Sequence, residues 1–224
     1  MPLHFSNKTA LGYKEIIFRQ FEKLKGYFDF EPGDIFVEVL PLDKFDSFYE
    51  FSRGCKPLKF TVGSALDNGG ILILDKKDFS KKQGHFPEEF DEVVLHEMAH
   101  IFVRRITWPK HAFIWIQEGV CEYLSFGHKK FEIKKPVDFN NIEDEGGWDR
   151  YNPYQQAGAF FKFLSEKFGD KKIVEFIKNI KESQKSQYRL FEGVFSVKFE
   201  EIERDFFEGH KNENSSSFGI SVRN

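Results

Sequence analysis

Two histidines and a glutamate stand at a spacing that suits metal-dependent hydrolysis. The chain reads His96-Glu97-Met98-Ala99-His100, so the histidines are four positions apart. On a helix this spacing puts both imidazoles on one face, about 40° apart around the axis and about 6 Å apart along it. Imidazoles so placed can take adjacent corners of a zinc tetrahedron, and Glu97 can act as a general base on water. The pattern therefore predicts zinc ligands at His96 and His100, although a helix with two ordinary histidines would read the same.

A third ligand is expected, because zinc sites that catalyse hydrolysis usually take three protein side chains and leave one position open. A third histidine in the metzincin spacing is excluded, since Val103 and Ile106 stand where glycine and histidine would be required. Glu118 lies among apolar residues, where a carboxylate is costly to bury unless it meets a cation. Glu118 is thus the predicted third ligand. Glu122, one turn later, is either a hydrogen-bond acceptor for a ligand histidine or a solvated helix carboxylate.

The two segments together resemble the gluzincin metallopeptidases, in particular the aminopeptidase-N-like and peptidase MA-like group. That group pairs His-Glu-x-x-His with a downstream Trp-Leu-x-Glu-Gly, and residues 115–119 here read Trp-Ile-Gln-Glu-Gly. Residues 153–158 read Pro-Tyr-Gln-Gln-Ala-Gly and look like the group's Pro-Tyr-x-x-Gly. The resemblance implies a thermolysin-like zincin fold, Zn²⁺ as cofactor, and Tyr154 as the donor that stabilises the oxyanion. Tyr151, three residues earlier, is the alternative donor.

One departure from the resemblance concerns the substrate. Aminopeptidase-N-like exopeptidases carry a Gly-x-Met-Glu-Asn segment, whose glutamate holds the free amine of the substrate. No such run occurs in the chain, and residues 64–68, Ser-Ala-Leu-Asp-Asn, offer only Asp67. Aminopeptidase activity is therefore not implied.

Composition excludes several other classes of protein. With 224 residues, 40% of them hydrophobic and 31% charged, the chain can build one packed domain. The net charge of −3 provides no field that would gather nucleic acid, and no apolar run is long enough for a membrane span. Two cysteines, Cys55 and Cys121, and a start without an export signal suggest the reducing cytoplasm. The 29 phenylalanines predict a core built mainly from this residue.

Hydrophobic periodicity predicts an α+β domain, with a small mixed sheet in the N-terminal lobe, the active-site helix, and a helical C-terminal lobe. A single catalytic domain is expected over residues 1–208, followed by a polar flexible tail at 209–224. The predicted strands are 35–40, 59–62 and 71–74, with a hairpin or bulge signal at Asp-Asn-Gly-Gly, residues 67–70. The predicted helices are a packing helix at 9–28, a short helix at 43–51, and helices at 88–107, 114–126, 153–168, 171–182 and 198–207, with a polar loop at 134–149.

These residues favour a zinc metallopeptidase in which His96, His100 and Glu118 bind the metal and Glu97 serves as general base. A peptide or protein substrate is expected to pair with Ile71–Leu74, interpreted as an edge strand, unless that segment is an ordinary hairpin strand. One alternative is a catalytically silent binding or assembly protein with structural zinc on a gluzincin fold. Another is a zinc hydrolase that acts on a non-peptide amide or ester.

Overall fold

A small β-sheet occupies the first part of the chain, and helices dominate from residue 90 onwards, so the predicted α+β class is confirmed. The computed structural model describes residues 2–129, 131, 133, 135–144, 148, 151, 153–183 and 186–216. For residues 211–216 only the backbone is described. Within these ranges no helix is both long and apolar enough to cross a membrane.

The sheet has four strands and is mixed, as predicted. Their spatial order is β1-β2-β4-β3; β1, β2 and β4 run parallel, and β3 is antiparallel to β4. All five residues of β4 are buried, which is typical of a strand with neighbours on both sides and on both faces. The strands are β1 (Leu3–Phe5), β2 (Ile35–Leu40), β3 (Gly63–Ala65) and β4 (Gly70–Leu74).

Two predictions about the sheet are wrong. The segment 59–62 forms no strand; the strand there is Gly63–Ala65, which pairs with β4 through the predicted turn at residues 67–70. The segment Ile71–Leu74 is not an edge strand, because β4 pairs with β2 on one side and with β3 on the other. The edge beside the helices therefore belongs to β3. Strand β1, at the opposite edge, was not predicted.

Most predicted helices are present with small shifts at their ends, and the predicted helix at 114–126 matches its observed bounds. The N-terminal helix divides at Tyr13, and the helix at residues 187–195 was not predicted. The last helix continues to Ser216, beyond the predicted end at residue 207 and into the predicted tail; residues 217–224 lie outside the described residues. The helices are α1 (Lys8–Gly12), α2 (Lys14–Phe28), α3 (Leu42–Arg53), α4 (Phe90–Thr107), α5 (Ile114–Phe126), α6 (Tyr154–Phe168), α7 (Asp170–Ile180), α8 (Gln187–Phe195) and α9 (Phe199–Ser216).

Phenylalanine supplies most of the largest fully buried side chains among the described residues, although aliphatic residues also fill much of the core. The fully buried ring of Trp115 on α5 is central, with ring centroids of Phe139 at 4.9 Å and Phe199 at 5.5 Å. Phe139 belongs to the predicted polar loop, yet it is fully buried in a short 3₁₀ helix, Phe139–Asn141. The loop thus contributes to the core; its residues 134, 145–147 and 149 lie outside the described part of the chain.

Helices α5 and α6 approach each other closely at small residues. A Cβ atom added to Gly119 would lie 2.6 Å from Cδ2 of Phe161 and 2.9 Å from the carbonyl oxygen of Ala157. A Cβ on Gly158, on the facing helix, would lie 2.8 Å from Cβ of Glu122. A residue with a Cβ atom at either position would push the two helices apart, so the close spacing of α5 and α6 depends on both glycines.

We expect Gly119→Ala to destabilise the protein by about 1–3 kcal/mol, because the new methyl group overpacks a contact with backbone. The free energy of unfolding, measured by denaturant titration, tests this. Gly26→Ala is the matched control: Gly26 is an exposed residue of α2 whose added Cβ meets nothing within 4 Å. It should be neutral or stabilising by up to about 1 kcal/mol. Equal stabilities of the two variants would contradict the packing argument.

Candidate metal and catalytic site

The candidate site lies where α4 and α5 pack against each other. Helix α4 is buried over most of its length, and His96 and His100 are themselves 9% and 6% exposed. Trp115 and Ile116 anchor the start of α5 in the core, and this fixes the direction in which Glu118 projects. The structure therefore brings together the three side chains that were predicted from positions 96, 100 and 118.

The three potential ligand atoms form a nearly equilateral triangle. Nε2 of His96 and Nε2 of His100 are 3.1 Å apart, and Oε2 of Glu118 lies 3.4 Å and 3.3 Å from them. A tetrahedral ion with bonds of about 2.0–2.1 Å needs ligand atoms about 3.3 Å apart. The residues therefore fit a zinc ion. Within the described part of the chain, Oε2 of Glu118 is buried and accepts no hydrogen bond, so its lone pairs are available to a metal.

The buried histidines and carboxylates around this triangle stabilise each other's charged forms. Burial alone would lower the pKa of His96, but Glu118, Glu122 and Glu97 raise it to about 9. Burial alone would raise the pKa of Glu118, but the two histidines hold it well below its usual range. A positive charge is therefore favoured between these side chains, whether a proton or a metal ion supplies it.

Glu122 is buried beside the ligand set and is not a solvated helix carboxylate. Its Oε1 atom lies 3.6 Å from Nδ1 of His96, on the side of the ring opposite to Glu118. The residue is 9% exposed, and burial raises its pKa, with His96 opposing that effect. This distance exceeds that of a direct hydrogen bond, but the negative charge favours a proton on Nδ1 of His96, which leaves Nε2 free to bind a metal.

Glu97 lies on the neighbouring face of α4, next to strand β3. Its Cγ and Oε1 atoms both lie 2.7 Å from the position that a Cβ on Gly63 would occupy. A side chain at position 63 would displace the carboxylate, so Gly63 gives Glu97 its space. Sequence reasoning missed Gly63; a glycine directly after the predicted strand at 59–62, where another group can approach the backbone closely, is the signal that could have found it.

Tyr154 begins α6 and lies near the carboxylates of the site. Burial raises the pKa of its phenol above the ordinary value, and Glu118, Glu97 and Glu122 add to this by charge repulsion. The ring packs perpendicular to Trp148, with centroids 4.9 Å apart. Tyr151, the alternative donor, is 44% exposed. Burial and these carboxylates thus keep the phenol of Tyr154 neutral and able to donate a hydrogen bond.

Arg104 was also missed by sequence reasoning. It continues the spacing of four that relates His96 to His100, and this spacing is the signal that could have found it. Its Nη1 atom donates to the carbonyl oxygen of Ala65, at 3.1 Å. Arg104 therefore connects the helix of the candidate ligands to strand β3.

Comparison with known proteins places the chain in a family. A family model described as "Peptidase of plants and bacteria" matches residues 63–206. This span contains the candidate ligands, Glu97, Tyr154 and strand β3. No curated protein and no solved structure matches the chain.

We expect wild-type protein to keep about one zinc ion per chain after dialysis, and Glu118→Ala to bind zinc about 100-fold or more weakly. The loss should exceed the 10–100-fold effect of removing a partner outside the ligand set, because a ligand itself is removed. Elemental analysis and a competition titration measure both quantities. Glu166→Ala, at an exposed position of α6, is the control and should bind zinc as wild type does. Wild-type protein that holds no zinc after incubation and dialysis would refute the metal site.

Proposed function

The chain belongs to the family of peptidases of plants and bacteria, and on that premise we propose that it is a zinc-dependent metallopeptidase of the gluzincin type. Family membership indicates a proteolytic function. The observation that carries the finer proposal is the triangle of His96, His100 and Glu118, whose edges of 3.1–3.4 Å match a tetrahedral ion.

His96, His100 and Glu118 would hold the zinc ion. When bound, zinc would polarise the scissile carbonyl and lower the pKa of water, so that hydroxide is available near neutral pH. Glu122 supports this arrangement by facing Nδ1 of His96. Cys121 lies in the same helix as Glu118, but among the described residues the group whose ligand atoms converge consists of His96, His100 and Glu118 and does not include its thiol.

Two further side chains carry the proposed chemistry. Glu97 takes a proton from the attacking water and then delivers it to the leaving amine nitrogen. Tyr154 donates a hydrogen bond to the carbonyl oxygen as negative charge develops there, since its neutral phenol is kept protonated by burial and by nearby carboxylates. The roles are complementary, because a base and an oxyanion donor lower the barrier at different atoms.

The substrate is proposed to bind as an extended peptide along strand β3. This corrects the expectation for Ile71–Leu74, whose two sides are already paired. Strand β3 pairs with β4 on one side, and its Gly63 lies against the side chain of Glu97. A peptide that adds to the other side of β3 would pass beside the proposed base.

We expect Glu97→Gln to retain its zinc and to lose hydrolysis by about 10²–10⁴-fold, because the amide cannot accept the proton from water. A peptide-library digest analysed by mass spectrometry, with metal content measured in parallel, tests this. Glu166→Gln serves as the control. Full activity of Glu97→Gln would remove Glu97 from the mechanism. If zinc-loaded wild-type protein cleaved no peptide, a binding or assembly role would be favoured instead.

We expect Tyr154→Phe to lower kcat by about 10²–10³-fold with little change in KM, because it removes one donor to the oxyanion. The phenylalanine ring should keep its packing on Trp148. Tyr151→Phe is the matched control and should lower kcat by less than about twofold, within the scatter of surface substitutions. The reverse result, with loss in Tyr151→Phe alone, would reassign the donor.

A further inference from the structure

We propose that Arg104 and Arg53 form a subsite for a carboxylate group of the substrate, at the Ala65 end of strand β3. This deepens the proposed function and rests on it in one respect, since the substrate is taken to pair with β3. The subsite would determine specificity by binding an acidic side chain or the C-terminal carboxylate of the peptide.

The register of the sheet shows which groups of β3 face away from β4. Leu66 N donates to Gly70 O at 2.8 Å, so this pair is hydrogen-bonded across the antiparallel ladder. Hydrogen-bonded and non-hydrogen-bonded pairs alternate along such a ladder. The amide and carbonyl groups of Gly63 and Ala65 therefore point to the side of β3 at which an added strand would pair.

Arg104 reaches this side of β3 from helix α4. Its guanidinium donates to Ala65 O at 3.1 Å, so it stands at the end of the edge that a peptide would use. The side chain is 31% exposed, which leaves part of the guanidinium accessible. Arg104 lies about 20° from Glu97 and about 40° from His100 around the axis of α4, so the subsite and the candidate metal site lie on adjacent parts of one side of this helix.

Asp67 occupies the position in which we place the substrate carboxylate. Its Oδ1 atom lies 3.6 Å from Nη1 of Arg104 and 3.7 Å from Nη1 of Arg53, which comes from the end of α3. The Asp67 side chain is 92% exposed, and both distances exceed those of direct hydrogen bonds. Exposed ion pairs of this kind contribute little, so a substrate carboxylate could replace Asp67 at low cost.

The charge of the subsite selects for an acid over an amine. Two guanidinium groups and one carboxylate leave a net positive charge, and a guanidinium can bind a carboxylate through two parallel N–H donors. A free amine would be repelled there by the net positive charge of the two arginines and Asp67. The pairing of Asp67 thus agrees with the absence of an aminopeptidase motif.

The spacing along β3 places this carboxylate close to the scissile bond. Gly63 lies against Glu97 and Ala65 lies against Arg104, and two residues of a strand span about 6.5–7 Å. A substrate paired with β3 would therefore carry its acidic group about two residues from the bond that is cleaved.

Binding measurements on zinc-incubated Glu97→Gln protein, which leaves peptides intact, test the subsite. The probes are fluorescein-labelled hexapeptides of alanine with one central phenylalanine and an amidated C-terminus. In each probe one alanine is replaced by Glu, Gln or Lys, and every alanine position is tested in turn. One further probe has a free C-terminal carboxylate. Fluorescence anisotropy measures their affinities. We expect one Glu position, or the C-terminal acid, to bind about fivefold more tightly than its neutral counterpart, as expected for a partly exposed ion pair. The acid and amide forms separate the two sources of the carboxylate.

Variants in the same background decide whether Arg104 causes the preference. Arg104→Gln should remove it, and Arg104→Glu should reverse it in favour of Lys, a change that a merely structural role would not produce. Asp67→Asn should strengthen it, because the internal carboxylate no longer competes. Arg204→Glu, at an exposed position of α9, is the control and should leave it unchanged.

Equal binding of Glu, Gln and Lys peptides, failure of every peptide to bind, or a preference that persists in Arg104→Glu would overturn the subsite. The wild-type library digest separates this from the proposed function. Cleavage without an acidic preference would remove only the subsite. Binding that depends on Arg104, without any cleavage, would support the subsite and remove the peptidase mechanism.

Discussion

The burial of ionisable side chains in direct contact is the constraint on which the rest of this structure depends. His96, His100, Glu118 and Glu122 lie between α4 and α5, where water cannot solvate them fully. Each buried carboxylate is stabilised by a positive partner, and the carboxylates around His96 accordingly raise its pKa. The arrangement is stable only when the two helices keep a fixed separation, because attraction between the groups depends on distances of 3–4 Å.

The position of α5 is held by contrasting residue sizes on its different sides. Large rings fill the core around Trp115, whereas Gly119 and Gly158 allow α5 and α6 to approach until backbone meets side chain. Such packing is rigid, since the interior has no space into which a helix could shift. The abundance of phenylalanine therefore has a consequence for the site: it fixes the element that carries Glu118 and, through α6, the element that begins at Tyr154.

Strand β3 contributes to the site through its backbone and its position. It has only three residues, but it lies at the edge of the sheet next to α4, with Gly63 against Glu97 and Ala65 against Arg104. One side of the site is thus a helix that supplies side chains, and the other is a strand that supplies amide and carbonyl groups. This division suits recognition of a peptide main chain beside residues that would act on it.

The sequence by itself determined the features that depend on local spacing: the shared face of His96 and His100, the bounds of α5, and the α+β class with its turn at residues 67–70. These follow from helical and strand periods, which act over a few residues. Which strand forms the edge was decided only by the tertiary structure, and so were the burial of Glu122 and the approach of Gly63 and Arg104 to the site. Such features depend on pairing and packing between segments far apart in the chain. The hydrophobic periodicity within one segment does not indicate which other segment it will contact.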